Sequence, residues 1–133
     1  MGVKNLTRNS VIATQSRIAD SVLRRSIGLM FSLPTKTAMV LKFPSDSKID
    51  LHMFFVFFPI DVILVDSRGK VVELIEQFVP FTAYSARKKA TFVIEVPAGT
   101  IRKSRTKIGD KIAFLRVVEK RHPNGRSITV SKV

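Results

Sequence analysis

Few side chains in this 133-residue chain are placed to do chemistry, and those few sit in apolar strands. His52 is the only histidine outside the basic C-terminal part, and it lies in the run Leu51 to Phe58 beside Met53 and several phenylalanines. An imidazole there is either a satisfied, partly buried group or, given a carboxylate partner, a general base. The carboxylates that could partner it are Asp61, which follows Pro59-Ile60, and Glu95, which stands between Ile94 and Val96. Burying a carboxylate costs several kcal/mol unless it is paired, so Glu95 is expected to meet a cation such as Arg25, or to face a solvated cleft. Asp61 is expected to bond backbone amides at a strand entrance. If Arg24 or Arg25, His52, Asp61 and Glu95 converge, they form a polar pocket suited to a small anionic or sugar-like ligand.

Other chemistries find no footing. The chain has no cysteine, which excludes disulfides, thiolate zinc sites, iron-sulfur clusters and a cysteine nucleophile. His52 and His122 are too far apart in sequence to suggest a metal site, and no metal or cofactor is expected. There is no Gly-x-Ser-x-Gly elbow, no convincing Ser-x-x-Lys context, no Walker loop and no dinucleotide fingerprint. A binding module is expected in preference to an enzyme.

Charge is the strongest compositional signal. The net charge is +13, and residues 84–133 hold 13 Lys/Arg against 3 Asp/Glu. Such a field attracts phosphate backbones, anionic surfaces or acidic proteins. The nucleic-acid reading rests on Arg87, Lys88 and Lys89, on Arg102, Lys103, Arg105 and Lys107, and on Lys120, Arg121 and Arg126. It requires these to share a face. Against it, tryptophan is absent, Tyr84 is the sole tyrosine, and most phenylalanines lie in core-like runs rather than on a stacking platform. The competing reading is a solvated basic surface.

These residues need elements to position them. Residues 1–9 read as a flexible arm and 10–133 as a single β-rich domain. Ser10 to Thr14 reads as a strand. Ser16 is placed to cap a helix carrying Ile18, Val22 and Leu23, with Asp20 in its first turn, Arg24 and Arg25 in its last, and Gly28 as a stop. Strands are expected over Thr37 to Phe43, Leu51 to Phe58, Asp61 to Val65, Lys70 to Ile75, Ala90 to Val96 and Lys111 to Glu119. Asp66-Ser67-Arg68-Gly69 and Pro123-Asn124-Gly125 are turn signals, the second opening a C-terminal hairpin over about 111–131. Phe78 to Lys89 reads as a long surface connection, and Thr100 to Arg105 as one helical turn.

Mainly β structure with one short N-terminal helix follows, as a sandwich or closed barrel. No segment has the roughly 20 apolar residues of a membrane helix or the apolar core of a signal peptide, so a cytoplasmic protein without membrane contact is expected. Leu51 to Phe58 is apolar on both parities apart from His52. If one of its faces stays bare, it favours a homodimer or another partner.

A resemblance overlays this outline. Arg25-Ser26-Ile27-Gly28-Leu29-Met30-Phe31, Met53, Pro59-Ile60-Asp61, Val65-Asp66, Pro80, Tyr84, Glu95, Ala98-Gly99 and Gly109-Asp110 together resemble the domain-of-unknown-function family 192, over about 18–112. The resemblance implies a β-sandwich of jelly-roll type and no established activity. Many relatives carry Lys, Asn and Thr after the methionine, where this chain has Phe54, Phe55 and Val56. The replacement implies a drier surface at that point.

Overall fold

Segments that alternate apolar and polar residues, or are apolar on both parities, resolve into strands. A computed structural model describes residues 2–19, 37–52, 59–79, 82–123 and 125–132. In chain order the strands are β1 (Gly2–Asn5), β2 (Ser10–Ala13), β3 (Gln15–Ala19), β4 (Thr37–Ser47), β5 (Asp50–His52), β6 (Ile60–Val65), β7 (Val71–Phe78), β8 (Ala83–Ser85), β9 (Ala90–Pro97), β10 (Ile112–His122) and β11 (Gly125–Lys132). One helix, α1 (Thr100–Ser104), follows β9.

The strands form a four-stranded sheet in the order β11-β10-β1-β2, a five-stranded sheet in the order β3-β4-β9-β6-β7, and a β5-β8 ribbon. Neighbours run antiparallel except β3 and β4, which are parallel. The chain passes from the first sheet to the second at Thr14, between β2 and β3.

Strand β6 shows why two apolar parities occur together. Every residue of Ile60–Val65 is buried, because β6 lies between β7 and β9 and both faces of its sheet are covered. On one face Ile60, Val62 and Leu64 pack with Val93, Leu41 and Phe78 against Ile49, Leu51 and Ala86, in and beside the β5-β8 ribbon. On the other face Ile63 and Val65 pack with Val40, Ile94 and Val96 against Val3, Ile12 and Ile112 of the four-stranded sheet, with Ile101 of α1 joining them.

Several expectations are corrected. Part of the expected N-terminal arm is strand β1, whose Val3 and Asn5 are buried and which pairs with both β10 and β2. The helix expected to begin at Ser16 is strand β3 through Ala19. Residues Gln15 to Ala19 instead pair with Thr37 to Leu41, and that tertiary pairing decides the state of these five residues over their local propensity. The remainder of the expected helix, with Arg24, Arg25 and Gly28, lies outside the described residues. The helix that is described is α1, near the C-terminal end of β9 rather than near the N-terminus. Among the described residues neither sheet closes on itself, so the closed-barrel alternative falls. The connection expected over Phe78 to Lys89 contains β8, paired with β5.

Turn chemistry follows residue type closely. In the β6–β7 turn the Asp66 carboxylate accepts from the backbone N–H groups of Arg68 and Lys70, both at 2.9 Å. Gly69 adopts φ +83° there, a left-handed conformation that costs glycine nothing.

Candidate functional site

The expected polar pocket is divided by the sheet itself. In the β6–β9 ladder Asp61 stands opposite Val96, and on the next rung Val62 stands opposite Glu95. Successive side chains on a strand point to opposite faces. Asp61 therefore shares a face with Val96 and α1, and Glu95 shares the other with Val62 and the ribbon.

Asp61 is fully engaged by the backbone. One carboxylate oxygen accepts from Gly99 N at 3.0 Å and Ile101 N at 2.9 Å, and the other accepts from Gln77 N at 2.9 Å. These bonds seat α1 on the sheet end and hold Gln77 at φ +50°. The role is architectural, as Pro59-Ile60-Asp61 led one to expect.

Glu95 is the opposite case. It is 5% exposed, and its Oε2 is buried with no hydrogen-bond partner among the described residues. Burial raises its pKa to about 8, so the side chain is mostly a neutral carboxylic acid at pH 7. Its rung neighbours are Met39 on β4 and Val62 on β6, both apolar. A carboxylic acid in such a setting can donate one hydrogen bond and accept others.

Two further carboxylates were not visible as a site in the sequence. Glu73, opposite Leu64 on the same face as Glu95, accepts from Arg87 N at 2.9 Å, from Lys88 N at 3.0 Å and from the Tyr84 hydroxyl. The bond to Glu73 raises the Tyr84 pKa and keeps the phenol a donor. Asp110 accepts from Asn5 Nδ2 at 2.9 Å, from Lys107 N at 2.9 Å and from Arg8 Nε at 3.1 Å. Burial pushes Asp110 up, but these donors outweigh it and hold the carboxyl below the ordinary range. Asn5 and Asp110 meet from opposite ends of the chain. No spacing rule links them, and Gly109-Asp110 was readable only as a turn.

The other expected pocket residues are less constrained. Arg24 and Arg25 lie outside the described residues. The His52 backbone pairs with Ala83 in the ribbon, one residue from Leu51, which packs on the Glu95 face.

The expected basic surface is also split. Arg87 and Lys88 are anchored through Glu73 on the ribbon side of the five-stranded sheet. Arg102 and Lys103 belong to α1, anchored through Asp61 on the other side. Arg121 and Arg126 stand opposite one another in the β10–β11 hairpin. Among the described residues no cluster of three His, Cys, Asp or Glu is placed to hold a metal ion. No helix among them is long and apolar enough to cross a membrane.

Two sheets sharing a core, with the Glu95 carboxyl, whose Oε2 has no hydrogen-bond partner among the described residues, between the larger sheet and a ribbon, define a small β domain. The chain belongs to the DUF192 family, described as Uncharacterized ACR, COG1430, whose model matches residues 3–114. That span takes in β1 and β2 as well as the stretch that carried the resemblance. It is 35% identical over 114 residues to a UPF0127 protein of Pyrococcus horikoshii, covering 84% of this chain and 97% of that relative. A UPF0127 protein of Thermococcus sibiricus is 36% identical over 110 residues, covering 81% and 71%. The fold is similar to that of a protein of unknown function from Novosphingobium aromaticivorans, with a TM-score of 0.73 at 23% identity, covering 85% of this chain and 82% of that one.

Proposed function

We propose that this domain is a cytoplasmic binding module of sandwich, jelly-roll type that takes a small polar ligand beside Glu95. The carrying observation is the buried Oε2 without a hydrogen-bond partner among the described residues. An unsatisfied buried polar atom costs roughly 1–3 kcal/mol, a penalty that a ligand hydrogen bond would relieve. Asp61, Glu73 and Asp110 each have three donors, so Glu95 is the buried carboxyl with capacity to spare among the described residues. Its apolar surroundings favour a ligand with a hydrogen-bonding end and an apolar flank. An anionic ligand needs Arg24 or Arg25 beside Glu95 as well, and His52 completes the expected set. This reading leaves out Asp61, whose strand position faces the other side of the sheet.

A thermal-shift screen of monosaccharides, amino acids and small carboxylates tests the reading. At least one compound class is expected to raise the midpoint of the wild type and to lose that effect in Glu95→Leu. A panel without any such compound contradicts it. The experiment also separates ligand types, because a carboxylate that works only while Arg24 and Arg25 are intact identifies the anionic version.

A further inference from the structure

Three segments distant in sequence, which carry six basic residues between them, are tied together beside Asp110. The β1–β2 turn supplies Arg8, the β6–β7 turn supplies Arg68 and Lys70, and the stretch after α1 supplies Arg105, Lys107 and Lys111. Backbone bonds lock these segments together. Leu6 N donates to Lys111 O at 2.8 Å, Val71 N to Asp110 O at 2.9 Å, Gly109 N to Val71 O at 2.8 Å and Ile112 N to Gly69 O at 2.8 Å. Arg105 Nη2 donates to Arg8 O at 3.2 Å, and Lys111 Nζ donates to Arg68 O.

The arrangement holds like charges close. Lys70 and Lys111 face one another across an isolated antiparallel bridge, a placement that repels. A Cβ at Gly69 would stand 3.2 Å from Lys111 Nζ, so the glycine leaves room for that ammonium to lie over the turn. The nearby carboxylates are already committed. Asp110 is buried and paired with Arg8, whose side chain is still 36% exposed, and Asp66 caps the amides of Arg68 and Lys70. Positive charge is left in excess on a surface fixed by main-chain bonds.

We infer that this surface docks the phosphodiester backbone of double-stranded nucleic acid without sequence preference. The inference stands apart from the Glu95 reading, because the two involve different residues. Charge complementarity carries it. The five cations on these tied turns other than Arg8, which is paired with Asp110, can each neutralise a phosphate and release counterions. The six residues include no aromatic group for stacking, so backbone contact is the mode they suit. Ile108, 66% exposed between Lys107 and Gly109, is the only large apolar side chain bared in these three segments. That is too little apolar area to seat the domain in a bilayer, which favours a polyanion over a lipid surface. The residues also differ from those the charge distribution alone suggested, since Arg8, Arg68 and Lys70 come from the less basic part of the chain.

The test is fluorescence anisotropy of the full chain with a labelled DNA duplex of about 20 base pairs across about 50–200 mM salt. The wild type is expected to bind with a log-log salt slope of about −4 to −5. The double variant R68E/K107E is expected to lose at least about tenfold in affinity at low salt and to show a slope shallower by about 2. K88E/K89E changes the net charge equally on the ribbon side and is expected to stay within about threefold of wild type. Should the charge reversal fail to fold by circular dichroism, R68A/K107A is expected to give the same reduction in slope. No binding at low salt, equal weakening by the two reversals, an alanine pair indistinguishable from wild type, or binding to phosphatidylserine vesicles without binding to the duplex would each overturn the inference.

Discussion

Asp61 and Glu95 stand on adjacent rungs of the β6–β9 ladder and point to opposite faces of the same sheet. Asp61 has three amide donors and Glu95 Oε2 has none among the described residues. One carboxylate is thus spent on architecture, whereas its neighbour is kept neutral in an apolar layer.

Glu95 ties stability to pH with a definite sign. Its folded pKa of about 8 lies above the ordinary value of 4.5, so between those limits the folded state holds a proton that the unfolded state has lost. Stability from this group is full below the unfolded value and declines as pH rises toward 8, by up to about 1.4 kcal/mol per pH unit. Glu95→Gln removes that slope. Urea unfolding from pH 5 to pH 8.5 checks it, and a variant with the same slope as wild type contradicts it.

Asp110 acts in the opposite direction and in a lower window. Its folded pKa lies below the ordinary 3.8, so its contribution is present above that value and is lost as pH falls through the depressed pKa. Asp110→Ala removes one of the two acceptors of Asn5 Nδ2, which keeps Thr106 Oγ1, takes the carboxylate from Lys107 N and unpairs Arg8, at a cost of about 2–4 kcal/mol near neutrality. Chemical denaturation measures it, and a loss below about 0.5 kcal/mol counts against the network as a structural hub.

Asp61→Asn keeps the shape of the side chain and replaces one acceptor oxygen with a donor facing amide donors. The expected cost is about 2–3 kcal/mol, together with loosening of α1. Amide exchange at Gly99 and Ile101 should accelerate more than exchange in β4. Uniform acceleration would assign the effect to global unfolding instead.

Gly69→Ala and Gly99→Ala separate backbone strain from steric overlap. Both glycines have positive φ, +83° and +91°, yet a Cβ at Gly69 meets Ile112 O at 3.0 Å and a Cβ at Gly99 meets nothing within 4 Å. Gly99→Ala is expected to cost about 1 kcal/mol from conformation alone, and Gly69→Ala more. Comparable melting temperatures for the two variants would show that the β6–β7 turn yields to accommodate a side chain.

Local patterns were legible in the sequence and distant meetings were not. The β6 and β9 strands followed from their apolar runs, the turn at Asp66 to Gly69 and the hairpin at Pro123 to Gly125 from residue type, and the α1 turn from its position after Pro97-Ala98-Gly99. Strand β3 was misread because its five residues gain their identity by pairing with β4, which local spacing does not encode. Glu95 was recognisable as a misfit between Ile94 and Val96. That it could not share a cleft with Asp61 depended on register, since a shift of one residue reverses every face. The basic surface around Asp110 was hidden for the same reason, because Arg8 and Lys111 are brought together only through β1 pairing with β10.

The proposed ligand site requires Glu95 to remain protonated inside the fold. The direct measurement is a carbon-13 NMR titration of its side-chain carboxyl, assigned by comparison with Glu95→Gln. A midpoint near 8 is the result predicted. A midpoint in the ordinary carboxylate range near 4.5 would mean that the carboxyl is ionised and partnered at neutral pH, and the proposed site would lose its basis.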